Sequence, residues 1–278
     1  MTGPQGRHRT AGWLVTAALL TGCAPVSHVR PERHRSAPAS VPTTAAAVTT
    51  STAPTPPGVI FHGRRDRPWV ALTFDSNLTD GMIAELDRGE VRSFDNHLVV
   101  AELIEMHVPA TIFLAGKWME RYPDEVRLIA SNPDFELASH SYSHRAFQMP
   151  CYGLGRLPLG EMAADVERSE ALLAAATLHP TRYFRFPGGC YDRAALAAIA
   201  STGVTVVQWD VASGDAFGHS VRAIVRNVLS STQPGSIVVM HITGGNTAPL
   251  TAEALPQIVD GLRAQGFTLV KLSDLLAA

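Results

Sequence analysis

From Pro68 to the end of the chain, short β-rich runs alternate with longer stretches of helical periodicity. This alternation is typical of βα units, in which a helix returns the chain to the start of the next parallel strand. Apolar residues fall on one face of the helix candidates Gly160–Ala176 and Val221–Leu229. The predicted strands are Trp69–Phe74, Ala110–Leu114, Phe135–Ala138, Tyr183–Phe186, Val204–Trp209, Ser236–His241 and Thr268–Lys271. The pattern predicts an α/β fold with a parallel sheet.

The charge balance limits the partners of this chain. Its 23 Lys and Arg residues are matched by 25 Asp and Glu residues, so there is no positive field to hold nucleic acid. Apolar residues make up 46% of the sequence and charged residues 17%, an ordinary balance for one folded domain. We expect a monomeric domain that does not bind nucleic acid.

The first 22 residues have the pattern of a signal peptide. Arg7 and Arg9 precede a short apolar run, Ala11–Leu20, about half of the ~20 residues needed to span a bilayer. The run ends in Leu20-Thr21-Gly22-Cys23, which resembles a bacterial lipobox. We predict a lipoprotein signal peptide over 1–22, lipid attachment at Cys23 and a location on the extracytoplasmic face of the cell membrane. The alternative is an ordinary secretory signal with a chance cysteine.

Residues 23–63 are rich in Pro, Ala, Thr and Ser and contain few large apolar side chains. Such a segment cannot bury enough surface to fold, which predicts a disordered tether ahead of a folded domain over 64–278. In that domain only Cys151 and Cys190 remain as cysteines, and disulfides persist outside the cell. We predict that these two residues pair. Two buried free thiols remain the alternative, because the sequence does not place their Cα atoms within ~7 Å.

Side chains that can transfer protons or bind a metal ion cluster at the carboxyl ends of the predicted strands. They are Asp75 after the first strand, His140 and His144 after the third, Arg185 in the fourth, Asp210 and Asp215 after the fifth, and His241 at the end of the sixth. In α/β barrels this rim is where loops from different strands assemble an active site. The spacing of His140 and His144 also allows one turn or tight loop to aim both imidazoles at a zinc-like divalent ion.

Together these segments resemble the carbohydrate esterase family 4 polysaccharide deacetylases, over about Trp69 to Leu276. The family's motifs recur in order as Thr73–Asn77, His140–His144, Arg185–Gly189, Trp209–Asp215 and Val239–His241. The resemblance implies a distorted (β/α)7 barrel that removes acetyl groups from N-acetylated sugars in a glycan polymer. Amide hydrolysis near neutral pH needs a Lewis acid, a base to take a proton from water and an acid to protonate the leaving nitrogen.

The resemblance also implies roles for these residues. Asp75 matches the general base and His241 the general acid, while Arg185 would orient Asp75. Asp215 would orient His241, with Asp210 as the alternative. The fourth motif is degenerate, since the family's usual Asp and Trp are replaced by Ala212 and Ala216.

The metal motif departs from the family at one position. Most members supply a third ligand from an Asp directly after the base, whereas this chain has Ser76 and then Asn77. We predict His140, His144 and Asn77 as ligands, with Asp75, Ser76 and Asp80 as alternatives for the third. The expected ion is zinc, with cobalt or manganese as alternatives.

Flat aromatic side chains suit sugar rings, so Trp209, Phe186 and Tyr191 are candidates for a sugar groove or for core packing. The leading hypothesis is an envelope enzyme that deacetylates an N-acetylated glycan, most of all peptidoglycan. The alternatives are an O-acetyl esterase acting on xylan or a cell-wall polymer, and a glycan-binding lipoprotein without turnover. Retention of Asp75, Arg185 and His241 argues against a pure binder.

Overall fold

The computed structural model describes residues 55–218 and 220–277. The predicted signal peptide over 1–22, the lipidation site Cys23 and most of the predicted tether lie outside the described residues. Within the described part, no helix is long and apolar enough to cross a membrane.

The described chain forms one sheet whose paired strands all run parallel. The strands are β1 (Val59–Ile60), β2 (Trp69–Asp75), β3 (Ala110–Leu114), β4 (Phe135–Ser139), β5 (Tyr183–Phe184), β6 (Thr205–Val207), β7 (Val211–Ala212), β8 (Ile237–His241) and β9 (Thr268–Leu269). Their order is β1-β6-β5-β4-β3-β2-β8-β7, and β9 also pairs with β2. Every predicted strand is present, although β5 and β9 are shorter than expected.

Two strands were not predicted. Val59 and Ile60 form β1 against β6, so the predicted tether over 23–63 is wrong in its last residues, which pair with the sheet. The predicted strand Val204–Trp209 ends at Val207, and the chain resumes pairing as β7. Two apolar residues in a proline-rich stretch give too weak a period to distinguish a strand from a linker.

The sheet curls so that its two edges meet at the chain between β6 and β7. There the Gln208 amide donates to the Ile60 carbonyl of β1, and the Asp210 amide donates to the Ile237 carbonyl of β8. The fold is therefore a distorted α/β barrel, with the parallel sheet that the alternation predicted and the barrel form that the family resemblance implied.

Helices cover the outside of the sheet and one end of the barrel. They are α1 (Asp80–Asp87), α2 (His97–Glu105), α3 (Gly116–Arg121), α4 (Pro123–Ser131), α5 (Met162–Ala176), α6 (Arg193–Ala198), α7 (Val221–Ser231), α8 (Thr251–Ala264) and α9 (Leu272–Ala277). The two predicted helices correspond to α5 and α7, and Ser220 caps α7 by accepting from the Ala223 amide. Leu272 and Leu275 of α9 pack against the barrel interior.

Alternation along the strands decides which side chains face the barrel interior. In β2, Leu72 and Phe74 pack in the outer core under the helices, while Ala71 packs in the inner cluster. A period of two therefore places Thr73 and Asp75 on the inner face. The same argument turns His241 inward at the end of β8, since Val238 and Met240 belong to the outer core.

Candidate active site

Strand register brings Asp75 and His241 together at the carboxyl rim of the barrel. The two residues are direct Cα partners of the parallel pair β2–β8, and each ends its strand. Both side chains line the same cleft. Neighbouring parallel strands therefore present a carboxylate and an imidazole side by side, as expected from their positions in the sequence.

Arg185 fixes the orientation of the Asp75 carboxylate. Its guanidinium is fully buried, and Nη1 donates to Asp75 Oδ1 at 2.7 Å and to Thr73 Oγ1 at 2.8 Å. Its Nε and Nη2 donate to the carbonyls of Val207 and Gln208, both at 3.2 Å. These bonds hold one carboxylate oxygen of Asp75 and leave Oδ2 free.

Two aromatic rings enclose the guanidinium of Arg185. Its Cζ lies 4.0 Å from the ring centroid of Phe113 and 5.5 Å from that of Trp209. Cation–π attraction, above all to the fully buried ring of Phe113, adds to the ion pair with Asp75. The surface salt bridge that an isolated arginine usually makes is therefore excluded for Arg185.

The segment after β4 folds as a tight loop that carries both histidines of the second motif. Ser141 and His144 have positive φ angles of 67° and 52°, which bend the chain sharply within four residues. Asp165 of α5 accepts from the Tyr142 and Ser143 amides, at 2.8 Å and 3.2 Å. The His140 and His144 rings consequently lie with centroids 5.0 Å apart.

The surroundings of His140 and His144 favour the neutral form of both imidazoles. His140 Nδ1 lies 2.9 Å from the Arg185 carbonyl, an acceptor, so that nitrogen carries the proton and Nε2 is free. His140 Nε2 lies 3.6 Å from Asp75 Oδ2. Burial lowers the pKa of His140 and takes the pKa of His144 well below its usual range, with the charge of His140 as a further cause for His144. Neutral imidazole is the form that binds a metal ion.

Asn77 is the best placed of the residues weighed as a third ligand. Its side-chain Oδ1 is buried without a hydrogen-bond partner, while its backbone N–H donates to Thr243 Oγ1 at 2.8 Å. Ser76 Oγ instead accepts from the Ala115 amide at 3.0 Å. Asp80 is more than half exposed and pairs with Lys117 and Arg145, away from the cleft lining.

The donor set fits a divalent cation if the side-chain oxygen of Asn77 takes part. Between residues 55 and 277, His219 excepted, no three His, Cys, Asp or Glu side chains are grouped to hold a metal ion. Two imidazoles and the unpartnered Asn77 oxygen, with Asp75 Oδ2 close by, supply the nitrogen and oxygen ligands that zinc-like ions accept.

Asp215, rather than Asp210, holds the imidazole of His241. Asp215 Oδ1 lies 2.8 Å from His241 Nδ1, and its Oδ2 accepts from the His241 amide at 2.8 Å and from Thr251 Oγ1 at 2.7 Å. Asp210 pairs instead with Arg65 and accepts from the Ile237 amide. The alternative assignment of Asp210 as the partner of His241 is therefore excluded by the geometry.

The Asp215–His241 pair stabilises the charged form of both groups. Burial would lower the pKa of His241, but the charge and hydrogen bond of Asp215 outweigh burial and raise that pKa above its ordinary value. Burial would likewise raise the pKa of Asp215, and the charge and hydrogen bond of His241 hold it below its ordinary value. His241 is thus suited to donate a proton.

These side chains surround a cleft of about 330 Å³. Trp209 lines it, as do the small residues Ala212, Gly214 and Ala216. Phe186 does not: it is fully buried in an outer cluster and stacks on Tyr191, with ring centroids 4.9 Å apart. Of the three aromatic candidates, only Trp209 lines the cleft, because Phe186 and Tyr191, which follow β5, pack together in a separate apolar cluster.

The family model for polysaccharide deacetylases matches residues 62–207, just over half of the chain. The chain belongs to the polysaccharide deacetylase family. The matched range includes Asp75, the two histidines and Arg185, and ends before Asp215 and His241. The fold class and the enzyme class predicted from the sequence are confirmed.

Curated relatives and solved structures extend the likeness beyond the matched range. The chain is 28% identical to a peptidoglycan-N-acetylglucosamine deacetylase of Bacillus cereus over 215 residues, 77% of this chain and 70% of the relative. It is 28% identical to a chitooligosaccharide deacetylase of a Bradyrhizobium species over 188 residues, 64% of this chain and 82% of the relative. A crystal structure of a peptidoglycan N-acetylglucosamine deacetylase superposes with a TM-score of 0.65 at 26% identity, over 79% of this chain and 93% of that chain.

One feature of this family member lies beside the third motif. Cys151 and Cys190 form a disulfide, with Cα atoms 6.0 Å apart, which joins the loop after the second motif to the loop after Arg185. Gly188 makes room for this link: its φ is 62°, and a Cβ there would lie 2.7 Å from Cys151 Sγ. The structure thus places the two cysteines as the sequence led us to expect.

Several residues of this deacetylase site escaped sequence reasoning. Asp165 anchors the histidine loop, and Thr251 bonds the carboxylate of Asp215. Asp165 lies in α5 and Thr251 begins α8, both outside the five motifs. A single polar residue in a helix gives no sequence signal of a role in the site. Tyr152 and Phe217 line the cleft but stand in loops outside any strand pattern.

Replacing Asp215 by Asn is expected to move the alkaline limb of the pH profile of kcat/KM to lower pH. A proton donor must be protonated, and the raised pKa of His241 keeps it so at higher pH; without the Asp215 charge, burial lowers that pKa. The measurement is acetate release against pH for both proteins. Asp210→Asn is the matched control, which should leave the limb in place. If the alkaline limb of Asp215→Asn lies at the same pH as that of the wild type, the Asp215–His241 pair does not determine the position of that limb.

Proposed function

We propose that this protein is a metal-dependent hydrolase that removes N-acetyl groups from neutral sugars of a cell-envelope glycan, most of all the N-acetylglucosamine of peptidoglycan. The observation that carries this proposal is the pairing of Asp75 and His241 across one cleft, each held by a buried partner. Two groups with opposite proton-transfer roles at one site are what amide hydrolysis requires.

Asp75 acts as the base and His241 as the acid. Oδ1 of Asp75 is occupied by Arg185, so Oδ2 takes the proton from the attacking water. Nδ1 of His241 is occupied by Asp215, so Nε2 gives a proton to the leaving nitrogen. Each role falls to the one atom that the buried partner leaves free.

A divalent cation would be held by His140, His144 and Asn77. When bound, such an ion supplies a Lewis acid that polarises the acetamide carbonyl. The protein's own part is to keep both imidazoles neutral and the Asn77 oxygen unpartnered. Zinc fits this donor set, and cobalt or manganese also accept it.

Replacing Asn77 by Asp is expected to tighten metal binding, because a carboxylate adds a negative charge to two neutral imidazoles. Asn77→Ala should weaken it. Calorimetric titration of the metal-free protein with zinc measures both changes without reference to turnover. Asp80→Ala is the matched control and should bind as the wild type does. If Asp80→Ala abolished binding while Asn77→Asp left it unchanged, Asp80 would be the ligand.

The charges of the cleft favour a neutral sugar. Its carboxylates are Asp75 and Asp215, and no Lys or Arg is found among the described residues that line it. The charge of His241 is already balanced by Asp215, so the lactyl carboxylate of muramic acid would meet no unpaired basic side chain among these lining residues, and N-acetylglucosamine is the better substrate. The Bacillus cereus and Bradyrhizobium relatives, by their names, act on peptidoglycan N-acetylglucosamine and on chitooligosaccharides.

Acetate release from a panel of substrates tests this assignment. We expect release from chitin oligomers and from peptidoglycan, and slower release from muramic acid that carries a free lactyl group. Release from acetylxylan alone would make the protein an O-acetyl esterase. Tight binding of the oligomers without any release would make it a glycan-binding protein.

We propose that Cys23 anchors this enzyme in the cell membrane on the extracytoplasmic face. The support is the short apolar run followed by Leu20-Thr21-Gly22-Cys23. Cys23→Ala should move the protein from the membrane fraction to a soluble or unprocessed form, and fractionation with lipid labelling measures this. Lipid labelling that persists in Cys23→Ala would contradict the assignment.

A further inference from the structure

Two of the large exposed aromatic side chains in the described part of the chain stand together at the mouth of the cleft. Tyr152 is 70% exposed and Phe217 66% exposed, and their ring centroids lie 5.1 Å apart. The third exposed aromatic ring is that of Phe61, which does not line the cleft. Large apolar rings are costly to leave in water, and a paired, exposed set next to a site marks a binding surface.

The chain holds Tyr152 in place by covalent and steric means. Tyr152 follows Cys151, whose disulfide to Cys190 ties it to the loop after Arg185. Its φ is 42°, a conformation that residues with a side chain rarely adopt. A Cβ on Gly188 would lie 3.1 Å from Tyr152 Cδ2, so the ring rests directly on the Gly188 backbone. The disulfide at Cys151 and the contact with Gly188 therefore fix the position of Tyr152.

Phe217 reaches Tyr152 from a different loop, the turn after β7. It follows Asp215, the partner of His241, by two residues in the turn after β7, and its backbone N–H donates to the Gly214 carbonyl. The rings are tilted by 40° to one another, and both border the same cleft as Asp75 and His241. A flat ligand next to the reacting group would meet both rings.

We propose that Tyr152 and Phe217 form a platform that binds the sugar ring adjacent to the one being deacetylated. The inference rests on the proposed function, because it assumes that the cleft takes a glycan. A pyranose ring presents a face of C–H groups that packs on an aromatic ring, while its hydroxyls stay in water. The platform lies outside the reacting groups, so it selects oligomers over single sugars.

Binding of chitohexaose to the Asp75→Asn protein, followed by calorimetry, tests the platform without turnover. Adding Tyr152→Ala or Phe217→Ala to that background should each weaken binding by roughly tenfold. Tyr152→Phe should bind as the parent does, since the ring is kept. Phe61→Ala is the matched control for loss of an exposed aromatic ring and should change nothing.

Kinetics on active protein separates this inference from the proposed function. In Tyr152→Ala/Phe217→Ala, KM for chitohexaose should rise by at least ~10-fold while kcat stays within about twofold. Unchanged binding and KM in that variant would overturn the platform and leave the deacetylase intact. Ring-dependent binding without acetate release from any glycan by the wild type would support the platform and overturn the deacetylase.

Discussion

Replacing Asp75 by Asn is expected to lower kcat for acetate release by ~100-fold or more while leaving the fold intact. Asn keeps the shape of the side chain and an oxygen that can accept from Arg185, so the buried contact at 2.7 Å survives. It removes the free Oδ2 that takes the proton. Acetate release from chitin oligomers gives the rate, and circular dichroism with thermal unfolding reports the fold.

Asp80→Asn is the matched control for this change. Asp80 lies five residues further on and pairs with Lys117 and Arg145 at the surface. Its loss should change kcat by less than about twofold, since exposed ion pairs contribute little. Activity of Asp75→Asn within a few-fold of the wild type would remove Asp75 from the role of base.

Replacing Arg185 by Ala is expected to lower the free energy of unfolding by about 3–5 kcal/mol and to abolish turnover. The guanidinium is fully buried, neutralises Asp75 and donates to two backbone carbonyls, so its removal leaves a buried charge and unpaired acceptors. Denaturant unfolding gives the stability change. The wild type and variant should be compared at the same neutral pH.

Two further substitutions separate stability from catalysis at this site. Arg185→Lys keeps the positive charge but not the planar fork, so it should recover part of the stability and little of the activity. Arg182→Ala removes a nearby arginine whose side chain is 56% exposed and whose partner Glu170 is 11% exposed, so it should cost clearly less than the loss of the fully buried Arg185. A stability loss of Arg185→Ala no larger than that of Arg182→Ala would mean that the ion pair with Asp75 is not structural.

The strand pattern predicted where the site lies, and the family resemblance supplied the roles of its residues. Asp75 and His241 end apolar strands in the sequence, and parallel strands align their carboxyl ends, so their meeting follows from the fold class alone. The assignment of Arg185 to Asp75 came from the family resemblance, and the structure places their side chains in contact. The period of two then turns these side chains inward without further information.

Details set by loops could not be obtained in this way. The sequence left Asp210 and Asp215 open because the break between β6 and β7 decides which carboxylate reaches His241. Likewise, only the folded loop shows that Asp80 turns to Lys117 and Arg145 while Asn77 keeps a buried, unpartnered oxygen. Tyr152 was missed because its position depends on a disulfide and a close glycine contact, which have no periodic signature.

Acetate release from chitin oligomers by the full-length protein, before and after removal of bound metal, tests the central claim most directly. We expect release by the wild type, loss of at least ~10-fold activity on chelation and recovery on adding zinc, cobalt or manganese. The His140→Ala/His144→Ala variant should show no recovery with any of these ions. Release that persists undiminished after chelation, and equally in the double histidine variant, would contradict a metal-dependent deacetylase at this cleft.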